Sequence, residues 1–223
     1  MEEASPWLLF AFSVLVIIAL GLFAILSTRR LERIPTTRRQ GLVELIVESL
    51  RNFAVGIIGP KGEKYTPFIG TLFIYILAMN LLGLVPGFKA PTSGLSITVS
   101  LAVVVFIVYN AAGILETGFI PYLKHLAGEP LWLAPLMLPI HLIGGLARPL
   151  SLSIRLFGNI FGEETILVIL AGMTYVIIPY VVAIPTQFPI VLFDVFIAFV
   201  QALVFSMLSA IYISVAVAGH EAH

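Results

Sequence analysis

The fold class this sequence predicts is an all-α integral membrane protein with about five membrane segments and one amphipathic surface helix. Three observations carry that expectation. The 223 residues are 60% hydrophobic and only 11% charged, with a mean hydropathy of +1.09, whereas soluble domains carry roughly 25% charged residues. Apolar runs long enough to cross about 30 Å of hydrocarbon recur along the chain. The charges are also segregated, because eight of the twelve Lys and Arg residues lie between Arg29 and Lys64. These grounds argue against a soluble globular fold. The net charge of zero argues against nucleic acid as a partner, and the lack of cysteine removes disulfides, thiolate metal sites and thiol chemistry.

Residues 7–26 form the first span. The acidic start, MEEASP, lacks the basic region and small-residue cleavage site of a signal peptide, so the span is read as retained. It ends at STRRLERIPTTRR, a basic cluster that the positive-inside rule assigns to the cytoplasm, leaving the N-terminus outside. Residues 37–58 behave differently. Leu42, Ile46, Leu50, Phe53 and Ile57 recur at helical spacing, opposite Glu44, Glu48, Arg51 and Asn52. This pattern suits a helix lying on the cytoplasmic membrane surface, or one packed on a soluble partner. IIGPKGEKYTP is a loop, and without a Gly-Lys-Ser/Thr triplet it is not a phosphate loop.

Residues 66–86 and 95–116 are the next two spans. The loop GFKAPTSG between them, with Lys89 as its only charge, fits the outer side, and Lys124 and His125 mark the return to the cytoplasm. The remaining apolar chain breaks weakly at IIPYVVAIPTQFP into residues 131–178 and 186–219. As a single helix the first of these would be about 70 Å long. It must therefore tilt steeply, bend at Pro135, Pro139 or Pro149, or fold back. A long tilted C-terminal hairpin is the preferred arrangement, with GHEAH in the cytoplasm. No repeat divides the chain, so residues 1–223 form a single membrane domain.

Six ionisable residues lie in that last stretch: His141, Arg148, Arg155, Glu163, Glu164 and Asp194. Ionisable groups inside a membrane usually face a cavity or a partner and often mark an ion path. His141, Arg148 and Arg155 are seven apart and share a helix face, with Ser151 and Asn159 one turn either side of Arg155. Glu163 lies about a quarter turn from Arg155, and Glu164 nearly opposite it. Asp194 and Gln201, again seven apart, share a face of the last helix, so Asp194 could meet Glu164 across the hairpin. Two such carboxylates would share a proton. The residues alone also allow Arg155 to be tied permanently to Glu163 or to carbonyls, and Glu163 to reach only the outer interface. No HExxH pattern accompanies the histidines, so no metal and no cofactor is expected.

ARPLSLSIRLFGN resembles subunit a of the rotary F-type ATP synthase, as do PFIGTLFIYILAMNLLGLVPGFKAPTS and QALVFSMLSAIYIS. The resemblance covers most of the chain. It implies a non-catalytic, ion-translocating stator subunit beside the c-ring, with two aqueous half-channels coupling proton or sodium flow to rotation and ATP synthesis. By that resemblance Arg155 is the essential arginine facing the carboxylate of each passing c-subunit. Asn159, Glu164, Asp194 and Gln201 would line the outer half-channel, and His141, Arg148 and Ser151 the cytoplasmic side. The implied partners are the c-ring, subunit b of the peripheral stalk, the rest of the synthase and the lipid bilayer. The implied location is a bacterial inner membrane, or else a thylakoid or other energy-transducing membrane. The chain departs from the family pattern at four places: His141 stands where glutamate is common, Asp194 where some members have histidine, Glu163 where a small residue is usual, and Gly83 where some carry aspartate. A self-contained secondary transporter is the alternative, but such folds commonly show internal repeats. An intramembrane hydrolase lacks its nucleophile elbow or zinc motif here.

Overall fold

The computed structural model describes residues 6–29, 38–85, 87–122, 134–177 and 183–218, and these residues are helical apart from short turns. The helices are α1 (Pro6–Thr28), α2 (Arg38–Ile58), α3 (Gly62–Leu82), α4 (Leu95–Thr117), α5 (Ala134–Ile177) and α6 (Ala183–Ala218). A 3-10 turn at Pro91–Ser93 precedes α4. Among the described residues four stretches are long and apolar enough to cross a membrane: Trp7–Thr28, Gly62–Leu82, Leu95–Thr117 and Val191–Val217. The all-α integral membrane class follows.

The core lies where α3, α4, α5 and α6 meet. Each contributes one stripe at helical spacing: Ile69, Ile76 and Met79; Ala102, Val105 and Tyr109; Leu152, Leu156 and Ile160; Ala198, Ala202 and Phe205. Small residues on α6 let its backbone approach its neighbours closely, which is how helices pack when lipid is as apolar as leucine. The outward faces are apolar too, with Trp7 81% and Leu115 75% exposed. In water such surface would be a liability, whereas in lipid it is matched.

Local chemistry sets the helix ends. Gly59 closes α2 at φ 84, a conformation that costs glycine little, and its N–H bonds Val55 O at 2.8 Å. α3 then begins at Gly62, one turn before the sequence-based boundary at residue 66. Proline favours the first turn of a helix, so Pro67 marks a natural start, yet ion pairs hold the extra turn. Arg51 of α2 pairs with Glu63, and Lys64 Nζ lies 2.7 Å from Glu116 Oε1 at the end of α4. The amphipathic α2 is divided in function. Leu42, Leu45 and Ile46 are exposed, while Ala54 is fully buried against the start of α3.

α5 runs unbroken for 44 residues through Pro139 and Pro149, about 66 Å at 1.5 Å per residue. α6 has 36 residues. The basic segment 30–37, the turn with Lys124 and His125, and the tail GHEAH lie outside the described residues.

Candidate functional site

α5 carries the site because its two sides differ. Leu152, Leu156 and Ile160 bury one stripe at 2%, 0% and 3% exposure, while Leu150, Ile154 and Phe161 on the other side are more than half exposed. Arg155 lies on that exposed side. Among the described residues it makes no hydrogen bond and no ion pair. A guanidinium on an apolar, outward-facing surface calls for a counter-charge, and the described residues supply none.

Four residues beyond it, Asn159 Nδ2 donates to Gln201 Oε1 of α6 at 2.5 Å. Seven residues before it, the Arg148 guanidinium lies over the Tyr212 ring of α6, with Cζ 5.5 Å from the centroid. The two pairings are eleven residues apart forwards along α5 and eleven backwards along α6. The helices therefore run antiparallel in unbroken register. Continuing that register sets backbone position 164 opposite Phe196, two residues from Asp194.

On the Asn159 side of Arg155 the wall is polar and buried. Asp194 and Gln201 are each 3% exposed and share the inward face of α6, as their spacing predicts. Asn80 of α3 donates to the Ala198 carbonyl at 3.4 Å and accepts from Thr92 Oγ1 at 2.8 Å, which ties the 3-10 turn to the same wall. Asp194 Oδ2, Gln201 Nε2 and Ser206 Oγ are buried without a partner among the described residues. Buried polar atoms are normally satisfied by protein or by water.

On the Arg148 side the surroundings are aromatic. Arg148 Cζ is 5.9 Å from the Tyr109 ring of α4 and 5.5 Å from the Tyr212 ring, and the two rings are 6.1 Å apart. Tyr109 donates its hydroxyl proton to the Gly145 carbonyl at 3.2 Å. Nearby, Tyr122 donates to Asn110 Oδ1 at 2.7 Å. Burial pushes the Tyr122 phenol above its ordinary range, Tyr109 adds to this, and the Arg148 charge opposes it. Ser151, between Arg148 and Arg155, is exposed.

The structure thus joins Asn159 to Gln201 and sets Asp194 on the same wall, but it separates Arg148 from Arg155. His141, Glu163 and Glu164 are helical positions of α5, and their side chains fall outside the described residues. Asn80, Thr92, Ser206 and the tyrosines 109, 122 and 212 were not singled out from the sequence. A lone amide in the apolar run ILAMNLLG was the available signal for Asn80. For the tyrosines there was none, since aromatic residues along a span are ordinarily packing.

A family model described as ATP synthase A chain matches residues 8–214. The chain belongs to the ATP synthase subunit a family. It is 43% identical over 215 residues to ATP synthase subunit a of Protochlamydia amoebophila, covering 93% of this chain and 79% of the relative. It is 42% identical over 217 residues to ATP synthase subunit a 2 of Syntrophotalea carbinolica, covering 97% and 85%. Against ATP synthase subunit a of Geobacter sulfurreducens it is 40% identical over 203 residues, covering 91% and 84%. Gly83, the position where the family resemblance allows an aspartate, has no room for one. A Cβ there would lie 2.7 Å from Ala90 Cβ and 3.1 Å from Ala90 N.

Proposed function

We propose that this chain is the non-catalytic, ion-translocating stator subunit of a membrane-embedded ATP synthase, with Arg155 as the fixed charge that couples ion flow to rotation. One observation carries this reading: Arg155 is exposed on an apolar face and has no partner among the described residues. A rotor carboxylate passing that face supplies the counter-charge. At about 4 Å and an effective dielectric of about 20, such a pair is worth about 4 kcal/mol. That is enough to hold the carboxylate ionised while it faces Arg155 and to forbid its carrying a proton or sodium ion straight past. The guanidinium suits the task because it stays charged in any plausible environment.

Ions then reach and leave the rotor by two offset routes. Asn159, Glu164, Asp194 and Gln201 serve the outer one, with Asn80 and Thr92 behind them. The orphaned polar atoms of Asp194, Gln201 and Ser206 suit a water-lined path. The antiparallel register supports a meeting of Glu164 with Asp194, two acids able to share a proton. Glu163 is a further acid at the outer end of the same helix. His141, Arg148 and Ser151 belong to the cytoplasmic side. The opposite placement of these two groups along α5, with Arg155 between them, supports half-channels that never join. The partners are the c-ring, subunit b of the peripheral stalk and the remaining synthase subunits, in a bacterial inner membrane, with the N-terminus outside and the C-terminus inside.

The test is Arg155→Ala in the assembled complex, reconstituted in vesicles. ATP-driven ion pumping and gradient-driven ATP synthesis should both vanish while assembly persists. Normal coupled activity in the assembled variant would refute the reading.

A further inference from the structure

Arg148 is a half-buried cation on the cytoplasmic side of the coupling scheme, to which that scheme gives no chemical step of its own. Its guanidinium lies within cation–π range of two rings, at 5.9 Å from Tyr109 and 5.5 Å from Tyr212. With the ring centroids 6.1 Å apart, the three groups form a nearly equilateral triangle. Each corner belongs to a different helix: α4, α5 and α6. The Tyr109 hydroxyl adds a second attachment, donating to the carbonyl of Gly145 three residues earlier on α5 at 3.2 Å. Tyr109 is 4% exposed, so it is fixed by its own packing. Among the described residues no carboxylate pairs with Arg148. A guanidinium has five donors, no acceptor and no accessible neutral form, so it cannot pass a proton on.

We infer that Arg148 is a positioning residue: its contact with the Tyr109 and Tyr212 rings clamps α5 between α4 and α6 and fixes where Arg155 stands. Arg155 is bracketed by two anchors on α6, the Arg148–Tyr212 contact seven residues before it and the Asn159–Gln201 hydrogen bond four residues after it. The apolar stripe Leu152, Leu156 and Ile160 seats α5 in the core, but apolar packing is not directional. The aromatic anchor adds a directional contact at the Arg148 end that reaches both α4 and α6. On the exposed side nothing among the described residues holds the Arg155 side chain, so its position comes from the helix carrying it. A misplacement of about an ångström at a charged contact is enough to cost function. The inference rests on Arg155 as the coupling charge, and it removes Arg148 from the list of groups that handle the ion.

The experiment uses the complete synthase reconstituted in vesicles, with ions pumped per ATP hydrolysed and passive ion conductance against pH as readouts. Arg148→Gln and Tyr212→Leu should each lower coupled pumping by roughly three- to tenfold, the loss set by the cation–π contact. The double variant should be no worse than the poorer single one. Tyr212→Phe keeps the ring and should stay within about twofold of the parent. The pH profile of passive conductance should keep its shape in all of them, because no group that handles the ion is removed. Wild-type pumping by assembled Arg148→Gln overturns the inference. So does a loss in Arg148→Gln that Tyr212→Leu does not share, or a displaced conductance profile in Arg148→Gln alone, since either marks a residue on the ion path. If Arg148→Gln fails to assemble, the contrast between Tyr212→Leu and Tyr212→Phe decides, and equal activities overturn the clamp. Normal pumping by Arg155→Ala would instead refute the function itself, so the two failures are distinguishable.

Discussion

Arg155→Gln should move stability and coupling in opposite senses. A buried ion pair that loses one partner typically costs 3–5 kcal/mol, because a bare charge is left behind. Arg155 has no partner within the described chain, so its removal strands no charge there. Its side chain also lies on the exposed face of α5, so no cavity opens. The insertion cost of an arginine near the membrane centre, about 2.5–3.5 kcal/mol on the lenient scales, is relieved instead. Function goes the other way. Losing about 4 kcal/mol of attraction for the rotor carboxylate corresponds to about three pKa units for that group. The carboxylate would then keep its ion as it passes, and coupled pumping would fall by about a thousandfold. The assays are the thermal denaturation midpoint of the isolated subunit in detergent, where no rotor carboxylate is present, and ATP-driven ion uptake by vesicles holding the complete complex. A variant that denatures well below the parent would show that Arg155 is tied within the chain. One that pumps at more than about a tenth of the parental rate would show that the counter-charge argument fails.

Asn159→Leu strips Gln201 Oε1 of its partner in a site already 3% exposed. It should cost about 1–3 kcal/mol, and Asn159→Leu/Gln201→Leu should recover part of that in thermal denaturation of the complex. Gly113→Ala would bring a Cβ to 2.5 Å from the Tyr122 ring, so overpacking of about 1–3 kcal/mol is expected. A denaturation midpoint unchanged by that substitution would contradict the packing of the turn Phe119–Tyr122 against α4. Gly83→Asp meets the Ala90 backbone and Cβ and should destabilise by a similar about 1–3 kcal/mol. Gly83→Asp/Ala90→Gly should regain part of the loss, and if it regains none the clash is not with Ala90.

Periodicity was readable because lipid and core impose it. Asp194 and Gln201 share a buried face, as a spacing of seven requires; the length of the apolar stretch left tilt, a bend at a proline or a fold-back open, and α5 continues through Pro139 and Pro149. The same spacing sets Arg148 and Arg155 on one face but does not show how their surroundings differ: Tyr109 of α4 covers the first, and among the described residues nothing covers the second. Burial is decided by neighbours, and one helix's sequence does not name them. Asn80 and Thr92 were silent for the same reason. Their importance comes from a bond between residues twelve apart and a carbonyl of α6 more than a hundred residues away. The start of α3 was misplaced by one turn because its extra residues are held by Glu116, far along the chain.

The eleven-residue interval shared by the two α5–α6 contacts is about three helical turns, and it works as a vernier. Deleting one residue between the contacts in either helix would turn everything beyond it by about 100° and shift it by 1.5 Å. One contact could then close only if the other opened. Chain-length changes between 148 and 159, or between 201 and 212, are therefore forbidden in either helix alone. A compensated pair of deletions would still leave Arg155 at a different angle to whatever passes it. Substitution can vary this segment, but its length is fixed.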